Sequence, residues 1–106
     1  MNTSAYKVYE KILKYDTLVS KENIYKAYNI SKNAHSNQFR GSGEPYFTHP
    51  LAVANFLIDM KLDTSTIVTA LLHDVVEDSD VTLEDIKNEF GPEIAKLVDG
   101  VTKLSK

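Results

Sequence analysis

Apolar residues recur along this chain at the three- and four-residue spacing of amphipathic helices, whereas alternating runs typical of strands are weak throughout. The segment from Ile67 to Leu72 is apolar nearly all round, which is typical of a central buried helix. We therefore expect an all-α orthogonal helical bundle. Its predicted helices cover residues 4–14, 21–37, 50–61, 65–78, 82–90 and 92–104.

Residues with strong positional preferences mark the ends of these helices. Ser20 is a good N-cap for the second helix, because its hydroxyl can accept from an amide that the first turn leaves unpaired. Asp63 or Thr64 is expected to cap the fourth helix in the same way. Gly91 stops the fifth helix and Pro92 starts the sixth.

A glycine-rich segment precedes the third helix. Residues 41–45, GSGEP, are predicted to form a loop, because two glycines and a proline disfavour any regular element. Pro50 suits the first helical position, and the residue before a proline is biased toward an extended backbone. We therefore expect His49 to be extended, at the mouth of a helix and beside a loop whose free amides can receive a phosphate.

Length and composition limit the class of protein. The chain has 106 residues, 42% of them hydrophobic, which is enough for one small domain over residues 1–106. It contains no Cys, so a disulfide scaffold, a zinc ribbon and a thiol nucleophile are excluded. Any protein ligands to a metal ion must therefore come from His or carboxylate side chains.

Charge and hydropathy limit the partners and the compartment. There is no apolar run of about 18 residues, and the first residues lack the apolar stretch of a signal peptide, so we expect a cytoplasmic protein without a membrane partner. The net charge of −3 argues against a nonspecific nucleic-acid surface. It is compatible with a local pocket for a phosphorylated small molecule.

The segment HDVVED carries the most distinctive chemistry. On a continuous helix His73 stacks over Glu77, and Asp74 stacks over Asp78, which gives a polar arc of four ionisable groups. Such groups at the end of so apolar a helix are costly to bury without a cation, which favours a bound metal ion. The alternative is an ordinary last turn that reaches solvent, but acids at a helix C-terminus oppose the helix dipole.

A second histidine is needed if an adjacent His-Asp pair is to hold one ion. Imidazole and carboxylate ligands without thiolate suit Mn²⁺, Fe²⁺ or Zn²⁺. His49 is the natural candidate for the additional ligand, and a cap or loop role is the alternative. We interpret His35, which lies within the second predicted helix, as a hydrogen-bonded packing residue rather than a ligand.

Three segments of the chain together resemble the hydrolase domain of the RelA/SpoT homologue family. They are AHSNQFRGSGEPYFTHPLAVA, TALLHDVVEDSDVTLEDI and FGPEIAKLVDGVTKL, at residues 34–54, 69–86 and 90–104. The resemblance implies an all-helical domain of the HD phosphohydrolase type that holds one Mn²⁺. It also implies a reaction, the removal of the 3′-diphosphate from the alarmones ppGpp and pppGpp to leave GDP or GTP and pyrophosphate.

The resemblance assigns roles to the polar residues by position. His49, His73 and Asp74 correspond to metal ligands, and Glu77 and Asp78 correspond to the pair that orients or activates the attacking water. A carboxylate beside a metal site is suited to accept a proton from water.

The same comparison assigns the substrate contacts. Arg40 and Ser42 correspond to residues that hold the guanine side of the nucleotide, and Gly41 stands where the family commonly has a second basic residue. The family's domain continues beyond the VDGVTKL segment and supplies a further aspartate ligand there. The resemblance therefore implies a partial hydrolase domain.

A second function follows from the last predicted helix. A catalytically inactive fragment would serve as a nucleotide-binding, regulatory or oligomerisation module. The helix carries an apolar stripe that we expect another surface to cover, through self-association, through association with another chain such as a longer homologue, or through further residues of the family's domain. The stripe consists of Ile94, Leu97, Val98, Val101 and Leu104.

Overall fold

The computed structural model describes residues 3–104, so the ends of the predicted domain lie outside the described residues. Within this range the chain forms helices and, instead of a strand, one isolated bridge between Phe39 and Pro45. The predicted all-α fold is confirmed. The helices are α1 (Thr3–Leu13), α2 (Lys21–Ala34), α3 (Thr48–Asp59), α4 (Thr64–Leu72), α5 (Val75–Asp78), α6 (Leu83–Phe90) and α7 (Pro92–Leu104).

Helix α4 is the centre of the bundle. Every residue from Ile67 to Leu72 is buried, and the helix packs against α2, α3 and α7. This confirms the prediction of a central buried helix. Burial of a single Ile or Leu side chain contributes about 1.5–3 kcal/mol, so this helix accounts for much of the hydrophobic stabilisation. The surrounding helices contribute core residues that include Val8, Ile12, Ile24, Ala54, Ile58, Ile86, Ile94 and Val98.

Local capping features mark two helix ends where the sequence places them. The Ser20 hydroxyl accepts from the amide of Asn23 at 3.1 Å, and α6 is followed by Gly91 with a φ of 95°, a value that suits glycine. Asp63 is the N-cap of α4 by backbone conformation, but its carboxylate accepts from the Thr66 hydroxyl rather than from an amide.

Two predicted boundaries near the loop are wrong. Helix α2 ends at Ala34 rather than at residue 37, because the chain tightens into turn bonds such as that from the Gln38 amide to the His35 carbonyl, 3.1 Å. His49 is helical rather than extended, since α3 begins at Thr48 and Pro50 is its third residue. The first four amides of a helix have no intrahelical acceptor, so a proline there removes no helix hydrogen bond.

The predicted helix over 65–78 is interrupted at its chemically distinctive point. Helix α4 ends at Leu72, and α5 begins only at Val75. A continuous helix would offer the Ala70 carbonyl to the amide four residues later, but here Nδ1 of the His73 ring binds it at 2.7 Å. The His73 carbonyl accepts from the Thr102 hydroxyl of α7 at 3.3 Å. Side chains therefore use acceptors that a continuous helix reserves for amides.

The apolar stripe of α7 is divided between the core and the surface. Ile94 and Val98 are buried, whereas Leu97 is 40% exposed and Leu104 is 87% exposed. Ile94 and Val98 therefore anchor α7 to the core, whereas Leu97 and Leu104 remain in contact with solvent.

None of the helices in the described range is long and apolar enough to cross a membrane.

The start of α6 provides a test of the capping interactions. Thr82 and Asp85 form a capping box, in which the Thr82 hydroxyl accepts from the Asp85 amide at 3.1 Å and the Asp85 carboxylate accepts from the Thr82 amide at 3.0 Å. We expect Thr82→Ala to lower the free energy of unfolding by about 1 kcal/mol, because one amide loses its partner. Urea denaturation followed by circular dichroism measures this. Thr82→Ser keeps a hydroxyl and should be close to wild type, so an equal loss in both variants would contradict the capping role.

Candidate metal centre

The ends of two helices bring three of the predicted site residues together. His49 lies in the first turn of α3, His73 follows the last residue of α4, and Asp74 is next in the chain. One potential ligand atom from each of these half-buried side chains lies within 4.8 Å of the other two. The structure therefore brings together all three residues predicted as metal ligands, in an arrangement that can hold one ion.

The hydrogen bond of His73 determines which ring nitrogen faces the group. Its Nδ1 lies 2.7 Å from the Ala70 carbonyl, which can only accept, so Nδ1 carries the proton. In a neutral ring Nε2 then has a lone pair, and Nε2 lies 3.2 Å from Oδ2 of Asp74. A lone pair and a carboxylate oxygen at this distance favour a positive charge between them, which a metal ion or a second ring proton supplies. The donor set of imidazole nitrogen and carboxylate oxygen therefore fits a divalent transition ion.

Tyr46 is a member of the site that the sequence analysis did not identify. Its hydroxyl donates to Oδ2 of Asp74 at 2.9 Å. Burial, the hydrogen bond and the negative charge of Asp74 raise the pKa of Tyr46 to about 12, and the Asp78 charge adds to this effect. Tyr46 therefore remains a protonated donor at neutral pH. The available signal was its position in the chain, three residues before His49.

Glu77 and Asp78 lie on α5, outside the three-residue group, and both side chains are exposed. Asp78 is nevertheless tied to the site through its backbone. Its amide donates to the Asp74 carbonyl at 3.0 Å, and its own carbonyl accepts from Nε2 of Gln38 at 2.7 Å. The predicted polar arc is thus divided at the interruption of the helix. His73 and Asp74 are half-buried, whereas Glu77 and Asp78 are exposed.

Arg40 and Ser42 lie on the loop between α2 and α3, and both are exposed. The Arg40 amide donates to the Glu44 carbonyl, and the Gly43 amide donates to the Arg40 carbonyl, each at 2.8 Å. The expectation of free amides in the loop over residues 41–45 is therefore wrong for Gly43, whose amide is used in a turn of the loop itself. The positive charge of Arg40 acts on the centre electrostatically. It lowers the pKa of Tyr46, in opposition to burial and to the charges of Asp74 and Asp78, which raise it.

His35 lies beneath the loop and is 1% exposed. Its Nδ1 is hydrogen-bonded to the side-chain oxygen of Gln38 at 2.9 Å, and its ring packs on that of Tyr46 with 4.8 Å between centroids. The interpretation of His35 as a hydrogen-bonded packing residue is confirmed.

Two cavities differ in their relation to this centre. An apolar cleft of about 230 Å³ lies beside His73, with Val53, Leu57, Ala70 and Val101 among its lining residues. A larger cavity of about 690 Å³ lies between α2 and α6, and none of the predicted site residues lines it. The candidate centre therefore lies apart from this larger cavity, and the case for the centre rests on the convergence of ligand atoms.

Comparison with known proteins identifies the family. The model of the HD domain matches residues 27–106 of this chain, which include the entire three-residue group. The chain belongs to the HD domain family. This agrees with the all-helical architecture and with the His73-Asp74 pair at the interruption between α4 and α5.

Curated relatives of this HD domain confirm its resemblance to the RelA/SpoT homologues. The chain is 48% identical over 101 residues to a GTP pyrophosphokinase rsh from Brucella ovis, a match that covers 95% of this chain and 14% of the relative. It is 53% identical over 85 residues to the guanosine-3′,5′-bis(diphosphate) 3′-pyrophosphohydrolase of Vibrio cholerae, covering 80% and 12%. It is 54% identical over 80 residues to the bifunctional (p)ppGpp synthase/hydrolase SpoT of Escherichia coli, covering 76% and 11%. The chain thus spans a small fraction of each relative.

Metal binding is the first test of this centre. We expect the HD domain to bind one divalent transition ion and His73→Ala to weaken that binding by at least about 100-fold, because outer-shell changes alone cost 10–100-fold. Isothermal titration calorimetry with Mn²⁺ measures the affinity. Asp80→Asn is the matched control, since Asp80 is an exposed carboxylate on the same segment and outside the group. Equal affinities of the two variants would contradict a metal centre at His73.

Proposed function

We propose that this HD domain hydrolyses ppGpp and pppGpp with Mn²⁺ as its cofactor, releasing pyrophosphate and leaving GDP or GTP. The observation that carries the proposal is the convergence of ligand atoms from His49, His73 and Asp74 within 4.8 Å. The names of the Vibrio cholerae and Escherichia coli relatives support the same chemistry, because both include a hydrolase activity on guanosine 3′-diphosphates.

His49, His73 and Asp74 are the residues proposed to hold the ion. They supply two imidazoles and one carboxylate, and such ligands without thiolate suit Mn²⁺. A bound Mn²⁺ neutralises phosphate charge and lowers the pKa of water at the site. Nδ1 of His73 carries a proton and donates it in a hydrogen bond to the Ala70 carbonyl. This fixes the tautomer and keeps Nε2 available as a ligand.

Glu77 and Asp78 are proposed to orient the attacking water and to accept its proton. Water attacks the phosphorus that is bonded to the ribose 3′ oxygen. The bond between this phosphorus and the 3′ oxygen then breaks. Pyrophosphate then carries the oxygen of the water, and the 3′ oxygen takes up a proton to become a hydroxyl. Glu77 and Asp78 are exposed at the end of α5, so their carboxylates are accessible to water, and they follow the proposed ligand Asp74 by three and four residues, which suits this role.

Arg40 and Ser42 are proposed to hold the guanine nucleotide. Arg40 presents an exposed guanidinium at the rim of the centre, and this planar group can stack on a base or bind phosphate oxygens. Ser42 offers an exposed hydroxyl from the same loop. The loop that carries them is closed by its own backbone hydrogen bonds, so both side chains extend from a defined turn.

Product analysis tests the proposed reaction. We expect ppGpp incubated with the protein and Mn²⁺ to give GDP and pyrophosphate in equal amounts, and we expect a chelator to stop the release. Asp78→Asn should lower kcat by about 10²–10⁴-fold, because it removes the proposed proton acceptor, and should leave Mn²⁺ affinity unchanged. Ion-exchange chromatography and a coupled pyrophosphate assay measure these quantities.

Asp80→Asn is again the control and should retain full turnover. If folded, Mn²⁺-loaded protein bound ppGpp without releasing pyrophosphate, the hydrolase proposal would be wrong. The alternative function, a nucleotide-binding or regulatory module, would then account for the data.

A further inference from the structure

Tyr46 lies directly after the GSGEP loop, within the segment over residues 34–54 that resembles the family, but neither the proposed ligand set nor the proposed water-activating pair includes it. Its hydroxyl donates to Oδ2 of Asp74 at 2.9 Å. That same oxygen lies 3.2 Å from Nε2 of His73. Tyr46 therefore holds the carboxylate oxygen that faces the neighbouring ligand nitrogen.

Tyr46 is itself held firmly in place. Its ring lies between two imidazoles, with centroids 4.8 Å from that of His35 and 6.0 Å from that of His49. Its amide donates to the Gln38 carbonyl at 2.8 Å, and its carbonyl accepts from the His49 amide at 3.0 Å. The phenol is thus fixed by both backbone and ring contacts before its hydroxyl reaches Asp74.

A fixed hydrogen-bond donor is useful here because an Asp carboxylate rotates freely. The terminal torsion of an Asp side chain is broad, so an unrestrained carboxylate samples many orientations and loses entropy when it binds an ion. A hydrogen bond from a fixed donor removes this freedom in advance. Outer-shell donors of this kind orient metal ligands, and their loss reduces metal affinity.

We propose that Tyr46 is a positioning residue of the metal centre. Through its hydroxyl it fixes the Asp74 carboxylate toward His73, and through its ring it restrains His49. This inference rests on the ligand assignment in the proposed function and adds a residue that does not itself contact the ion.

The test is the affinity of Tyr46→Phe for Mn²⁺, measured by isothermal titration calorimetry. Phenylalanine keeps the ring between the imidazoles and removes only the hydroxyl. We expect the dissociation constant to rise about 10–100-fold. The matched control is Tyr15→Phe, because the Tyr15 hydroxyl also donates a single short hydrogen bond, 2.7 Å to the Leu62 carbonyl, away from the centre. That variant should bind Mn²⁺ like wild type.

A spectroscopic measurement separates positioning from general stability. We expect the visible absorption of the Co²⁺-loaded protein to change in Tyr46→Phe, because the spectrum reports ligand geometry, and to be unchanged in Tyr15→Phe. Weaker binding in Tyr46→Phe with an unchanged spectrum would assign the loss to stability and overturn the positioning role.

The remaining outcomes also decide the question. An affinity of Tyr46→Phe equal to that of wild type would overturn the inference, as would an equal loss in Tyr15→Phe. Asp74→Asn distinguishes the two proposals. If Asp74→Asn retained wild-type affinity, the ligand assignment itself would be wrong and this inference with it. If Asp74→Asn lost affinity and Tyr46→Phe did not, only the inference about Tyr46 would fail.

Discussion

The hydrogen bond from His73 to the Ala70 carbonyl is the interaction on which the geometry of the centre depends. In a continuous helix the Ala70 carbonyl would accept from the Asp74 amide, four residues later. Here it is bound by the His73 ring, and α4 ends at Leu72. This hydrogen bond also fixes the ring tautomer, so the free nitrogen is directed at Asp74. The backbone of His73 and Asp74 stays in the right-handed helical region, so the two side chains meet at the end of α4 without a sharp change of chain direction.

A second set of contacts ties the loop to the end of α5. The Gln38 side chain donates to the Asp78 carbonyl at 2.7 Å and is hydrogen-bonded to His35 at 2.9 Å. The Gln38 carbonyl accepts from the Tyr46 amide at 2.8 Å. One residue therefore links the end of α2, the loop and the segment that carries the exposed acids. Movement of any one of these elements would disturb the other two.

The sequence predicts features that neighbouring residues reveal, but it does not predict features that depend on competing hydrogen bonds or on tertiary contacts. The cap at Ser20, the stop at Gly91 and the buried helix from Ile67 to Leu72 can each be read from residues that are neighbours in the sequence, and the structure has all three. The interruption at His73 depends on competition between a side chain and an amide for one carbonyl, which helical periodicity does not report. The contact from Tyr46 to Asp74 joins residues 28 positions apart and arises only from tertiary packing.

The charges around the centre disfavour the approach of a diphosphate in the absence of a cation. Asp74 is half-buried, Glu77 and Asp78 stand exposed beside it, and the chain as a whole carries a net charge of −3. Arg40 is a positive group near enough to act on Tyr46. A diphosphate that approached these carboxylates alone would be repelled, since like charges at short range destabilise each other by several kcal/mol where the effective dielectric constant is about 20. A divalent cation on the His49, His73 and Asp74 group offsets most of this negative charge. In the proposed reaction, the cation therefore lowers the electrostatic cost of bringing the phosphates to the centre.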